Sequence, residues 1–261
     1  MFRIEDLLAD TVRALGFLSR LPLPGRFFEG HDGSMRQTSG LFGLAGAITA
    51  LVPALLLTIL LHFGAKPELA ALLATALQIA LTGGLHEDGL ADCADGMGGG
   101  RTRERMLEIM KDSRLGAYGG LALILSVGLR TEALASLGAS AGPIAAGLAM
   151  IGVNAAARTV LVWHWAALPP ARPDGVAASV GQPDGMAVNL AMVSGALIFG
   201  LALMPTLGIA APLISALVAA LCALAFTRLV RSKIQGHTGD TLGACEQIAE
   251  IALYAALAVM A

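Results

Sequence analysis

The chain has 261 residues, of which 56% are hydrophobic and only 14% charged, and its mean hydropathy is +0.73. Soluble domains carry about 25% charge, so this balance excludes a disordered chain, speaks against an ordinary cytosolic enzyme and indicates a multi-span membrane protein. The net charge of −2 leaves no global basic patch for nucleic acid.

The chain opens with apolar residues at helical spacing, Ile4, Leu7, Leu8, Val12 and Leu15. This pattern predicts an amphipathic helix over Ile4–Leu18, lying on the membrane surface. Glu5, Asp6 and Asp10 break any apolar run there, so no cleavable signal peptide is expected. Gaps between charges then place the spans, each needing about 20 residues to cross the hydrocarbon. The first lies near 39–63, where Pro53 is expected to kink the helix, and the second near 69–85. The third, near 118–137, carries Arg130 and Glu132, which would have to snorkel. The fourth lies near 143–165. The uncharged run after Asp184 is too long for one crossing; a turn signal at Pro205 and Gly208 divides it into spans near 188–204 and 209–227. The last span lies near 242–260. The prediction is an all-α, polytopic helical membrane protein of about seven spans, forming a single domain over residues 1–261.

Seven spans put fourteen of the seventeen basic residues on one side, with the N-terminus; Lys66 and Arg130 fall on the other side and Arg158 lies inside the fourth span. By the positive-inside pattern that side is cytoplasmic. Cys93, Cys222 and Cys245 form no CxxC pair and read as buried thiols, not a zinc site or a disulfide framework.

The polar motifs gather on the same predicted side. Within GGLHEDGLADCADG, residues 83–96, Asp88, Asp92 and Asp95 are spaced i, i+4, i+7 and share one helix face. Three carboxylates there repel one another near a membrane, and a divalent cation such as Mg²⁺ or Mn²⁺ relieves that. A solvated acidic loop is the plainer reading. The stretch 101–120 holds a short amphipathic segment (Met106, Leu107, Ile109, Met110), then Lys111, Asp112, Ser113 and Arg114. Its cations can grip phosphate oxygens, or simply fix topology. Arg158 follows Asn154 by four residues; an intramembrane arginine marks function or pairs with a carboxylate. Near the last span, GHTGDTLGA (236–244) supplies Thr238 and Asp240, the latter a ligand or a helix cap, with Glu246 and Glu250 following on one face. Acids for a cation beside arginines for phosphates fit phosphoryl-group transfer. No Walker A sequence is present.

Together GGLHEDGLADCADG, ERMLEIMKDSRLGAYGGLAL and GHTGDTLGA, with the early SRLPLP at 19–24, resemble the cobalamin synthase family, the adenosylcobinamide-GDP ribazoletransferases, over nearly the whole chain. The resemblance implies a Mg²⁺-dependent enzyme of the bacterial cytoplasmic (inner) membrane with its active site facing the cytoplasm. It implies transfer of adenosylcobinamide phosphate from adenosylcobinamide-GDP to α-ribazole or α-ribazole 5′-phosphate, releasing GMP. The implied partners are those small molecules and the lipid bilayer, with a homo-oligomer left open. Carried onto this sequence, Asp88, Asp92 and Asp95 hold the metal, Lys111, Ser113, Arg114, Arg158 and Thr238 bind substrate, and Asp92, Asp95, Asp112 and Asp240 serve catalysis. Asp112 or Asp240 is the general base or a further metal ligand. Glu87 is not counted among the metal ligands. Two other readings are a CDP-alcohol phosphotransferase, whose signature begins like Asp92-x-x-Asp95-Gly96 but continues differently, and a cation-coupled transporter, for which no internal repeat is found.

Overall fold

Each uncharged run folds into a long helix, because in hydrocarbon every backbone N–H and C=O must find its partner within the segment. A computed structural model describes residues 4–112, 114–172 and 175–261. Its helices are α1 (Ile4–Leu18), α2 (Phe42–His62), α3 (Pro67–Thr82), α4 (Leu85–Gly99), α5 (Arg103–Met110), α6 (Ala117–Ser140), α7 (Pro143–Ala167), the short α8 (Val176–Ser179), α9 (Gly185–Leu207), α10 (Ala210–Ile234) and α11 (Gly239–Met260). The chain is thus a polytopic helical membrane protein. Six of its helices (α2, α6, α7, α9, α10, α11) are long and apolar enough to cross a membrane, and α3 with α4 makes a seventh only if the two are taken together.

The α3–α4 pair bends by 88° at Gly83 and Gly84, both in the left-handed region that favours glycine. The predicted second span therefore stops early, and its polar continuation runs on as a separate helix. Pro53 lies within a continuous α2, and Pro205 lies within α9; Gly208, at φ +72°, makes the turn into α10.

Helix α1 forms over the predicted residues, but its apolar face is covered by protein. Ala14, Leu15 and Leu18 are buried, and Phe17 stacks on Phe42 and Trp165 with ring centroids 5.6 and 6.5 Å apart. The expected surface helix is therefore docked against α2 and α7, and Leu8 remains exposed.

The basic loops meet at one end of the bundle, largely as caps. Arg103 donates to the carbonyls of Ile234, closing α10, and of Ala171. Arg231 donates to Ala167 O at the end of α7, and Arg172 to Leu107 O. Gln182 also donates to the carbonyls of Trp165, Ala166 and Leu168. Helix C-termini leave carbonyls unsatisfied and favour cations, so these contacts tie the loops to the helix ends. At the opposite end, Thr58 Oγ1 lies 3.4 Å from Pro143 O, joining the α2 and α7 termini there.

Candidate functional site

The site is built where α4 crosses the N-terminal ends of α6 and α11. Gly89 permits the approach: a Cβ there would lie 2.9 Å from Asp240 O, and one on Gly243 would lie 3.2 Å from His86 Cα. With only hydrogens at that crossing, α4 brings its acids beside Asp240. Asp92 has Asp88, Asp95 and Asp240 as carboxylate neighbours, and Asp240 has Asp88 and Arg172. Asp88 and Asp92 open onto a cavity of about 500 Å³, lined also by Arg20, Glu87, Leu115 and the Gly83–Gly84 turn. Among the described residues neither the Asp88 nor the Asp92 carboxylate has a hydrogen bond or ion pair.

Asp95 faces elsewhere. Its Oδ2 accepts from Gly116 N at 2.7 Å and its Oδ1 from Gly119 N at 2.8 Å, so it binds the free N–H groups at the start of α6. The three acids share a helix but are not gathered around one point. Among the described residues no three His, Cys, Asp or Glu side chains are arranged to hold a metal ion. Asp88 and Asp92 still offer two unpartnered hard oxygen donors. That suits Mg²⁺, which keeps several waters and typically takes one or two carboxylates plus substrate phosphates.

The remaining predicted residues divide. Arg114 Nη2 donates to Asp112 Oδ2 at 2.5 Å, and Arg114's backbone N also donates to Asp112. These hydrogen bonds lower the Asp112 carboxyl to about 2. Lys111 and Arg114 are exposed on this loop, and Ser113 lies outside the described residues. Thr238 is the N-cap of α11: its Oγ1 accepts from Thr241 N at 3.2 Å and lies 3.1 Å from Asp240 Oδ2. The capping role considered for Asp240 thus falls to Thr238, and Asp240 stays half-buried beside α4.

Arg158, expected at substrate phosphates or else paired with a carboxylate, is fully buried and paired, with Nη1 2.6 Å from Glu246 and 3.6 Å from Glu250. Arg130 does not snorkel either. It is 1% exposed, 2.9 Å from Glu87 and 3.4 Å from Glu250. Three glutamates from α4 and α11 thus meet two arginines from α6 and α7, because an unpaired charge in the membrane interior is costly and a paired one is tolerated. Gln247 joins them, donating to Glu246 at 3.0 Å and accepting from Ser126 at 2.7 Å. Sequence reading passed over Glu87 as a ligand candidate and missed its arginine. The available signal was the acid Glu87 beside a span boundary and Arg130 inside a span, two charges needing each other.

His237 is buried in the loop before α11, its backbone bridged to Pro169 and Ala171. Burial lowers its imidazole to about 4. Cys93 and Cys245 are buried free thiols, whereas Cys222 is partly exposed.

Taken together, the apolar spans and the unpaired acids above a cavity at one end of them define an integral membrane protein with a polar site at a helix-bundle end. The family model for cobalamin-5-phosphate synthase (CobS) matches residues 10–258, and the chain belongs to that family. It is similar to proteins named adenosylcobinamide-GDP ribazoletransferase from Rhizobium johnstonii, 48% identical over 98% of both chains, and from Rhizobium etli, 50% identical over 98% of both. One from Brucella anthropi is 44% identical over 97% of both. No solved structure matches the chain.

Proposed function

We propose that this chain transfers the adenosylcobinamide-phosphate group of adenosylcobinamide-GDP to α-ribazole or its 5′-phosphate, releasing GMP, in the last assembly step of cobalamin. The family and the full-length relatives support the reaction. The observation that supports this reading of the site is the pair Asp88 and Asp92, their side chains unpartnered among the described residues and facing a cavity beside Asp240.

In this reading Asp88 and Asp92 would hold Mg²⁺. What the ion supplies when bound is neutralisation of charge on the diphosphate and on the departing GMP. The ribazole hydroxyl attacks the phosphorus next to cobinamide; a new phosphorus–oxygen bond forms as the bond to the GMP phosphate oxygen breaks. Asp240 is the better-placed base for the hydroxyl proton, because Asp112 is tied to Arg114 and held low. Lys111 and Arg114 are the cations of the adjoining loop that face solvent and can reach phosphate oxygens. Asp95, Arg158 and Thr238 act through structure: they hold α6, α11 and the loop before α11 around the acids. The asymmetry of the basic loops supports a bacterial cytoplasmic membrane with this end inside the cell.

The test is GMP release from adenosylcobinamide-GDP and α-ribazole phosphate by lipid-supplied purified protein, with Mg²⁺ or with a chelator. GMP matched by a cobalamin product, and lost on chelation, is expected. GMP formation undiminished by the chelator would remove the metal role, and labelled CDP-alcohol entering lipid would favour a phospholipid-making reaction.

A further inference from the structure

The early SRLPLP segment has no part in the reaction described so far, yet it borders the site. The backbone N–H of Arg20 donates to Leu81 O at 2.8 Å, pinning the segment to the end of α3. Its side chain then runs across the α3–α4 turn: a Cβ on Gly83 would meet Arg20 Cγ at 2.6 Å and Nε at 2.7 Å. Beyond that turn lies the cavity that carries Asp88 and Asp92, and Arg20 is the one basic residue among those lining it.

The charges of Arg20, Asp88 and Asp92 at this cavity are left unpaired among the described residues. Among the described residues Arg20 has no ion pair or side-chain hydrogen bond, and neither has Asp88 or Asp92. Of the other basic residues at this end, Arg103, Arg172 and Arg231 donate to carbonyls, Arg114 pairs with Asp112, and Arg130 pairs with Glu87 and Glu250, while Lys111 is exposed on its loop. Glu87 Oε2, also at the cavity, is buried without a hydrogen-bonding partner among the described residues. A cavity lined by both unpaired carboxylates and an unpaired guanidinium fits a ligand that presents a cation to the acids and phosphate oxygens to the arginine.

We infer that Arg20 is a substrate-binding residue, gripping diphosphate oxygens of a nucleoside-diphosphate substrate in the cavity it lines with Asp88 and Asp92. The inference rests on the transferase reading above and gives its diphosphate a donor from the lining of the cavity itself, beside those of the loop at 111–114. A guanidinium suits the task because it offers parallel donors to phosphate and stays charged at any working pH. The plainer role for Arg20 is packing: its aliphatic stem covers the glycine turn and helps hold the bend. The two roles make different demands on the side chain. Packing needs the stem, whereas phosphate binding needs the charge.

Arg20→Met keeps the stem and removes the charge. It is expected to raise KM for adenosylcobinamide-GDP by roughly 10–100-fold, the loss of one hydrogen bond to a charged group. KM for α-ribazole phosphate and the melting temperature should stay at wild-type values. Inhibition by inorganic pyrophosphate with Mg²⁺ should weaken in parallel, and Arg20→Lys should fall between wild type and Arg20→Met. An Arg20→Met protein with unchanged KM and unchanged pyrophosphate inhibition overturns the inference. If that variant does not fold, Arg20→Gln against Arg20→Lys carries the same comparison, and equal KM values in the two overturn it. The reaction is tested separately by the wild type. If wild type forms no GMP, calorimetric binding of Mg²⁺–pyrophosphate decides Arg20 alone: binding lost in Arg20→Met supports it, and binding retained overturns it.

Discussion

Asp92 and Asp95 are three residues apart on one helix, yet their surroundings give them different work. Asp95 spends both oxygens on Gly116 and Gly119 N–H groups, and Asp92 spends neither. Replacing each by alanine should separate the two roles. Asp92→Ala is expected to abolish nearly all GMP release while its melting temperature stays within a degree or two of wild type. Asp95→Ala removes two charge-assisted hydrogen bonds at a helix start and should cost about 2–4 kcal/mol of stability, read as a lowered melting temperature in detergent. Wild-type turnover in Asp92→Ala, or an undiminished melting temperature in Asp95→Ala, would contradict this division. Helical spacing made the two acids equivalent on the page. Only the position of α6, whose free N–H groups meet one acid and not the other, distinguishes them. The same holds for Thr238 and Asp240: either residue type can cap a helix, and the local backbone gives that role to Thr238.

At the scale of elements, α4 is held by ion pairs as well as by glycine contact. Glu87 joins it to Arg130 of α6, and through Glu250 and Glu246 of α11 the network reaches Arg158 of α7. The network spans four helices that carry or border the candidate site, so it fixes where Asp88 and Asp92 stand. Removing one partner strands a charge in a dry interior. Arg130→Met is therefore expected to cost about 3–5 kcal/mol. The double variant Glu87→Gln, Arg130→Met should lose less than the two single changes added together, since neutralising Glu87 relieves part of the stranded charge. Thermal unfolding of the four proteins in one detergent reads the coupling, and strictly additive losses would show that the pair is not a working contact. Residues taken singly gave a snorkelling arginine, a phosphate-binding arginine and an acid of no clear use. The fold puts all three into one network, and no spacing rule links positions 87, 130 and 158.

For the molecule as a whole, the sequence was most legible where the physics is one-dimensional. A charge gap of the right length is sufficient to place a span, so the runs near 143–165 and 242–260 correspond closely to α7 and α11. The predicted second span overran because Leu85 is apolar; the bend depends on two adjacent glycines, and hydropathy does not register it. The docking of α1 was hidden for a different reason: an apolar helix face looks the same whether lipid or Phe42 and Trp165 cover it. Orientation is the whole-molecule property that the sequence argues most directly. The seven-span reading of the sequence puts fourteen of seventeen basic residues on the site's side, and in the structure Arg103 and Arg231 bind carbonyls at helix ends there, which ties that charge to the fold itself. The expected consequence is a site facing the cytoplasm and a loop at residues 63–66 facing away from it. Lys66→Cys and Arg101→Cys probe the two ends, since both positions are exposed; both are made with Cys222→Ala because Cys222 is partly exposed, whereas Cys93 and Cys245 are buried. In intact spheroplasts a membrane-impermeant maleimide should label the cysteine at 66 and spare the one at 101, and lysis should make both reactive. The reverse pattern would turn the molecule over in the membrane and put the acids of α4 on the side from which cytoplasmic nucleotide cannot reach them.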